Sequence, residues 1–354
     1  MRIALFFDGT WNAPWAHTNI WDLYRRTPQR EGVQHTRYLA GVGLRPPLLG
    51  GAVAGIGIDE RIRTGYAEIA RHWSPGDELY LVGFSRGAFS ARSLAGMIAK
   101  CGIVPPGTPR LSAKDLFERY RDRKRPGLRE MRATPSLAVD DEDRQVLAHA
   151  EQARIRFVGA FDTVGGLGLP GPLAALTAGS YRFHDTALSG LVDVARHAVA
   201  LDELRSYFPA TLWDSVPIPT ETPTDVEQRW FVGGHSNVGG GPTTGLWSDR
   251  QLSTLPREWI ADEAAAAGLE IEPGKPADDA ALGRIERADH SPIFAPLGLL
   301  PGLGFGRREV RKSGIAEVLD PSVGTRWQED PAYRARKAPR ARGLRRWITD
   351  LGWT

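Results

Sequence analysis

Apolar residues fall in short blocks along this chain, and the blocks alternate between two periods. Residues 2–7, "RIALFF", form an almost unbroken apolar run that stops at the loop "DGTWN". A short run bounded at once by turn residues predicts a strand buried on both faces. Residues 36–43, "TRYLAGVG", predict a second strand, and a glycine-rich loop, "GGAVAGIG", comes after it. In "IDERIRTGYAEIARHW" the period changes, and Ile58, Ile62, Tyr66, Ile69 and Trp73 share one helical face. "SPGDE" is a turn, residues 78–83 ("ELYLVG") predict a strand, and 86–101 predict a helix closed by Gly102.

Residues 103–152 break this rhythm. They are Pro-rich at first and then dense in charge, "DLFERYRDRKRPGLREMR", which predicts a mostly helical insertion, either a solvated helical pair or a short lid. Strand pattern returns at 154–161 ("RIRFVGAF"). A helix is expected over about 190–206, a strand over 227–234 ("EQRWFVGG"), and a helix over "LPREWIADEAAAAGL". Strands alternating with helices predict an α/β fold, a mainly parallel sheet covered by helices on both faces. Residues 1–272 are expected to form the catalytic domain, and 273–354 a Pro/Gly-rich, basic extension packed on it or flanking it.

Composition narrows the classes. A 354-residue chain that is 42% hydrophobic and 25% charged reads as an ordinary globular protein of one large or two small domains. Its net charge of +3 is too mild to argue for a nucleic-acid partner. The single cysteine, Cys101, excludes an internal disulfide framework and reads as a core thiol. No apolar segment is long enough to span a bilayer. The first apolar run is too short for a signal peptide and meets Asp8 at once, so a soluble, cytoplasmic protein is expected.

The most specific chemistry lies at the end of the third strand block, where Gly83-Phe84-Ser85-Arg86-Gly87 fits G-x-S-x-G. Among 40 glycines the pattern alone is weak, and an ordinary strand-to-helix turn would also contain it. Its setting adds specificity: a buried strand precedes it and the helical run "AFSARSLAGMIAK" follows, as a nucleophile elbow requires. A serine forced into a strained backbone angle needs flanking residues without side chains, which Gly83 and Gly87 supply. Its Oγ then projects at a helix N-terminus, where the macrodipole and the N–H of Arg86 favour a developing oxyanion.

A serine nucleophile also needs a base and a group to orient that base. "FVGAFDTVG" places Asp162 at one strand end, and "WFVGGHSNVGGG" places His235 at another. Either could be bland, Asp162 as a helix cap and His235 as a loop histidine. Their order, Ser85, Asp162, His235, is that of α/β-hydrolase scaffolds. Gly9 and Thr10, in the loop after the first strand, are the candidates for a second oxyanion donor, with Asp8 holding that loop by accepting backbone hydrogen bonds.

Five ordered motifs carry a family resemblance. "LFFDGTWN", "GFSRGAFSAR", "VGAFDTVGGLGLP", "YRFHDTALSGLVDVARHAVALDELRSYFPATLW" and "WFVGGHSNVGGG" together resemble the α/β-hydrolase domain of type VI secretion phospholipase effectors. Those effectors belong to a wider bacterial and fungal family long labelled as of unknown function. The likeness runs from residue 1 to about 268, and weakly on to "LDPSVGTRW". It implies a Ser–Asp–His serine hydrolase that cleaves phospholipid acyl esters without a cofactor, and export through a type VI system without a cleavable signal. By the same resemblance Ser85 is the elbow serine, Asp162 the acid of the "FDT" motif and His235 the histidine of "GxHS". Where the family carries an aspartate two residues after that histidine, this chain has Asn237. Because the position of the acid varies among members, Asp202 in "ALDELR" is a rival orienting carboxylate.

Other readings are weaker. "ALFFDGT" is similar to the signature of aspartate-nucleophile phosphatases, but Phe6 stands where their first aspartate belongs. The eight histidines are scattered, and His184-Asp185 lacks metal-ligand spacing, so no metal is expected. A non-catalytic interaction protein would not need Ser85, Asp162 and His235 together, and a small-ester hydrolase not acting on lipids stays open. Trp11, Trp15 and Trp21 either rim an acyl-chain site or pack their loop onto the core. The basic run in "YRARKAPRARGLRRWITDLGW", with Trp347, Ile348, Leu351 and Trp353 after it, either rests on an anionic bilayer or packs back on the domain.

Overall fold

The computed structural model describes residues 1–41, 52–109, 111–165, 187–206, 208–216, 223–241, 251–286, 305–335 and 341–353. Its strands are β1 (Arg2–Phe7), β2 (Gln34–Leu39), β3 (Glu78–Phe84), β4 (Ile155–Phe161), β5 (Val192–Ala200), β6 (Asp225–Phe231) and β7 (Glu317–Leu319). They form one sheet in the order β2-β1-β3-β4-β5-β6-β7, and every neighbouring pair is parallel. Helices α1 (Asn19–Arg26), α2 (Ala52–His72) and α3 (Arg86–Cys101) join the first strands.

Side chains alternate between the two faces, as the strand period requires. Ile3, Leu5 and Phe7 of β1, with Leu79 and Leu81 of β3, pack into one buried cluster with Ile62 of α2 and Leu94 of α3. Ala4, Phe6, Tyr80, Val82 and Phe84 point to the other face and meet Ile20 and Leu23 of α1. Because both faces are covered, each strand reads as a continuous apolar run rather than an alternation. The registers pair Phe7 with Gly83, Phe84 with Phe161, and Phe161 with Ala198. The residues that follow β1, β3 and β4 therefore emerge along one edge of the sheet, where parallel sheets of this kind place their ligand sites.

Three expectations change. The helix expected over 190–206 is the strand β5, flanked by β4 and β6. Its three alanines, Ala195, Ala198 and Ala200, favour a helix locally. Ala195, Ala198, Val199 and Ala200 are instead fully buried at an inner position of the sheet, and burial there overrides propensity.

The insertion is helical, with α4 (Ala113–Arg121), α5 (Leu128–Ala133) and α6 (Asp141–His149), yet it is neither lid nor solvated pair. Leu116, Phe117, Leu128, Met131 and Val146 are buried in the main core, and Arg119 of α4 is paired internally with Asp143 of α6. The insertion docks at the far end of α3 from Ser85, where Cys101 Sγ lies 3.6 Å from the Leu116 carbonyl.

After β6 come α7 (His235–Gly239) and α8 (Gln251–Ala266), whose Trp259 and Ile260 join the core of the Phe84 face. The boundary expected at residue 272 does not divide the structure, since β7 extends the same sheet and α9 (Pro321–Glu329), α10 (Pro331–Ala335) and α11 (Leu344–Asp350) share a core with β6. Trp327, Tyr333, Trp347 and Ile348 pack there around Trp230. Of the four apolar residues considered for membrane contact, Trp347 and Ile348 are buried, Trp353 packs against that core, and Leu351 is exposed. Among the described residues no helix is long and apolar enough to cross a membrane.

Candidate active site

β3 ends at Phe84 and α3 begins at Arg86, so Ser85 makes the whole turn between them. Its backbone has φ 57° and ψ −122°. A non-glycine residue held there stores on the order of 1–3 kcal/mol of strain, which the surroundings must impose. Gly83 and Gly87 allow it by close approach. A Cβ on Gly83 would stand 2.5 Å from the Gly87 carbonyl oxygen, and one on Gly87 would stand 2.2 Å from that of Phe7. The Ser85 N–H donates to the Phe161 carbonyl at 2.9 Å, which ties the elbow to the end of β4.

The next residue after β4 is Asp162, also at positive φ (41°), with its N–H donating to the Ala198 carbonyl. His235 follows β6 through Gly233 and Gly234 and opens α7. The three side chains meet. Ser85 Oγ lies 2.9 Å from His235 Nε2, and His235 Nδ1 lies 2.6 Å from Asp162 Oδ2. All three are buried, Asp162 completely. The imidazole is wedged between the Phe84 ring, 4.7 Å away centre to centre, and the Phe208 ring, edge-on at 5.1 Å.

Asp202 has other work. Its Oδ2 accepts the Gly233 N–H at 2.8 Å, and the Tyr333 hydroxyl donates to it at 3.3 Å. It pins the loop that carries His235. Asn237 does the same from within α7: its Oδ1 accepts from the N–H groups of Gly234 (3.0 Å) and Glu286 (2.8 Å), while its Nδ2 donates to the Arg284 carbonyl (3.1 Å). An aspartate could not make the last of these bonds, which gives the asparagine a structural reason.

One partner has no counterpart in the sequence reading. Arg308 grips both oxygens of Asp162, with Nη2 donating to Oδ2 at 2.9 Å and Nη1 to Oδ1. Its remaining donations go to the carbonyls of Ala200 (3.0 Å) and Phe208 (2.9 Å). Nothing in "GFGRREV", a basic pair in a glycine-rich stretch, separates Arg308 from a surface charge. Glu203 and Arg205, also unforeseen, form a second buried ion pair beside the histidine: Glu203 accepts the His235 N–H at 3.1 Å, and Arg205 lies 3.8 Å over the Phe208 ring.

Burial by itself would raise the pKa of the Asp162 carboxyl. The charges of Arg308 and His235 outweigh burial and hold it well below the usual carboxylate range. Asp162 is therefore a carboxylate at any ordinary pH and accepts from a protonated Nδ1, which turns the lone pair of Nε2 toward Ser85. Burial pushes the pKa of His235 down, against the opposing pull of Asp162. Beneath the pair, His197 accepts the Thr163 N–H at 3.1 Å, and burial with the nearby Arg92 charge pushes its pKa to about 3.

The oxyanion candidates differ among themselves. Gly9 N–H donates to Asp8 Oδ1 at 2.7 Å, so in this structure it is already engaged. Asp8 also accepts from the hydroxyls of Thr18 (2.7 Å) and Tyr38 (2.6 Å), and burial pushes it up to about 6 in spite of these bonds. Arg86 N–H belongs to the first turn of α3, whose N–H groups have no intrahelical acceptor. Thr10 Oγ1 is buried without a hydrogen-bond partner among the described residues, and it borders the same small cavity as Arg86. Of the tryptophans, Trp11 (55% exposed) and Trp15 (63%) face solvent, with the Arg86 guanidinium 5.9 Å from the Trp11 ring, while Trp21 packs on Tyr24 and Tyr38. His184-Asp185 and the "GLGLP" part of the Asp162 motif lie outside the described residues.

Among the described residues, His35, Glu68 and His72 form one cluster with metal-ligand potential. Its hydrogen bonds compete with that use. Gln29 Oε1 accepts from Thr36 N–H at 2.7 Å, so Gln29 Nε2 is the group facing His35 Nδ1 at 3.3 Å. That leaves the proton of His35 on Nε2, donated to Glu68 Oε1 at 2.9 Å. The nitrogen a metal would need is already spent, and Arg71 takes the other Glu68 oxygen.

The chain is similar to several known proteins. A protein of Saccharomyces cerevisiae described as uncharacterised is 29% identical over 237 residues, covering 61% of this chain. The chain spans about a third (33%) of that relative's length. Among solved structures, an uncharacterised protein from Pseudomonas aeruginosa superposes with a TM-score of 0.48 at 18% identity, over 79% of this chain and 48% of the other. The Tle1 effector bound to the VgrG spike of the type VI secretion system superposes at 0.44 and 14%, over 82% and 77%. The model of the type VI secretion Tle1-like phospholipase effector catalytic domain matches residues 1–263, a span that contains Ser85, Asp162 and His235, and this chain belongs to that family.

Proposed function

We propose that the chain is a serine hydrolase that cleaves phospholipid acyl esters through an acyl-enzyme on Ser85. The observation that carries this reading is the convergence of Ser85 Oγ, His235 and Asp162 at 2.9 and 2.6 Å on a strained elbow. His235 Nε2 takes the hydroxyl proton as Oγ attacks the ester carbonyl. The imidazolium so formed is held by Asp162, and it returns the proton to the departing alcohol. Water then enters by the same route in reverse and frees the fatty acid. The tetrahedral oxyanion falls to the N–H of Arg86, aided by the α3 N-terminus, and to Thr10.

Membership of a phospholipase effector family supports the lipid class of substrate. The exposed rings of Trp11 and Trp15 suit the rim of a site that takes an acyl chain from a lipid surface. Delivery through a type VI system belongs to the same proposal and rests on the family alone.

The test is labelling by a fluorophosphonate, together with hydrolysis of a panel of phospholipids and small esters. Ser85→Ala should abolish both. Labelling of the variant at the wild-type level would sink the assignment. Turnover of short esters with none of phospholipid vesicles would move the substrate to the small-ester class.

A further inference from the structure

Arg308 stands outside the span matched to the family, yet its side chain makes four hydrogen bonds at the site, as many as that of Asp162. Its guanidinium is buried, and both terminal nitrogens are committed to Asp162 and to backbone carbonyls of the strand end and the Phe208 turn. Nε has no hydrogen-bond partner among the described residues. A guanidinium placed only to satisfy itself would not leave a buried N–H unused, whereas one aimed edge-on at a carboxylate can be forced to.

We propose that Arg308 is a positioning residue of the hydrolytic site, supplied by the C-terminal segment, which fixes the Asp162 carboxylate toward His235 and offsets its charge. This rests on the serine-hydrolase reading of the site. Two consequences follow from the geometry. The fork holds Asp162 in the rotamer whose Oδ2 meets Nδ1, with Ala200 N–H on Oδ1 at 2.9 Å as the third point of the clamp. The positive charge also weakens the attraction between Asp162 and an imidazolium, so His235 remains a free base to lower pH.

The other charges facing His235 do not upset this balance. Glu203 and Arg205 form an ion pair on the Phe208 side, and their charges pull the His235 pKa in opposite directions, Arg205 down and Glu203 up. Asp202 is spent on Gly233 and Tyr333, and His197, under Asp162, is held neutral by burial and by Arg92. Ser85 and the Arg86 N-terminus of α3 lie across Nε2. Asp162 with Arg308, and Glu203 with Arg205, leave the imidazole between two compensated pairs.

The acid limb of kcat/KM reports the free-enzyme base. Removing the Arg308 charge leaves Asp162 uncompensated, stabilises the imidazolium and moves that limb to higher pH. The experiment follows the fluorophosphonate labelling rate and kcat/KM against pH in the full chain, for the wild type, Arg308→Met and Arg308→Lys. Arg308→Met should shift the acid limb up by about one pH unit, as loss of a nearby like charge does for an imidazolium. Arg308→Lys should shift it less but still lower kcat, because an ammonium cannot clamp both oxygens. Superimposable profiles for the wild type and a folded Arg308→Met would overturn the proposal. If neither variant folds, the wild-type profile decides: an acid limb below the ordinary histidine value of about 6.5 is expected, and one above about 7 refutes charge compensation. A wild type inert to the probe at every pH refutes the hydrolase reading itself, a distinct outcome.

Discussion

Among the described residues two histidines hold a carboxylate at hydrogen-bond distance, near opposite ends of the strand order. His35, on the edge strand β2, lies 2.9 Å from Glu68, and His235, after β6, lies 2.6 Å from Asp162. Distance barely separates them. The surroundings do. His35 and Glu68 are half-buried, their ring neighbour is His72, stacked at 4.0 Å, and the free nitrogen of His35 meets an amide. His235 is buried and compensated, and its free nitrogen meets a serine held at φ 57°. A histidine–carboxylate pair becomes chemistry when its tautomer leaves a lone pair facing a nucleophile. At both histidines the nitrogen facing the carboxylate carries the proton, but at His35 the other nitrogen meets the Gln29 amide and no nucleophile.

The largest expected effect tests that contrast head on. His235→Ala should lower ester hydrolysis by several orders of magnitude, since a triad acts as a unit. His35→Ala should leave kcat/KM within about twofold. Paired progress curves on one ester measure both, and a His35→Ala enzyme as inactive as His235→Ala would show that distance alone had been the criterion.

Next come the carboxylates. Asp162→Asn should cost roughly 10⁴ in kcat, because an amide favours the wrong imidazole tautomer. Asp202→Asn removes the charge and one of the two oxygens that hold the Gly233 N–H and the Tyr333 hydroxyl, and should act on stability, by about 1–2 kcal/mol. Thermal unfolding beside steady-state kinetics separates the two. A larger kcat loss in Asp202→Asn than in Asp162→Asn would make Asp202 the orienting acid.

How far this was legible in the sequence depended on whether the signal was local. "RIALFF", "ELYLVG" and "RIRFVGAF" show β1, β3 and β4 to within a residue or two, because inner parallel strands are apolar throughout. The elbow was visible since Gly83 and Gly87 are needed by contacts inside one turn. β5 was misread because its alanines carry a helical propensity that only its two neighbouring strands overrule. Arg308 could not be seen: it lies 146 positions from Asp162, and a buried guanidinium and a surface one look alike in one dimension. The same blindness hid His35, Glu68 and His72, which only the packing of β2 against α2 brings together.

The smallest expected effect concerns that last cluster. Glu68 accepts from His35, from Arg71 at 3.2 Å, and lies 3.6 Å from His72 Nε2. Its partners are half-buried or exposed, and screening by water and salt keeps such pairs to about 0–1 kcal/mol. Glu68→Gln keeps the shape and a carbonyl acceptor for His35, so unfolding should shift by less than about 1 kcal/mol with hydrolysis unchanged. The same protein bears on metal binding. A ligand that binds only the folded state raises its stability with concentration. With the His35 proton on Nε2 and Arg71 on the second carboxylate oxygen, a zinc ion would have to displace both, so the wild-type midpoint should not move with added Zn²⁺. A saturable rise in midpoint that vanishes in Glu68→Gln would make the cluster a metal site after all. His35 would then have to exchange its tautomer, and Gln29 would have to give up its bond to Thr36 to let it do so.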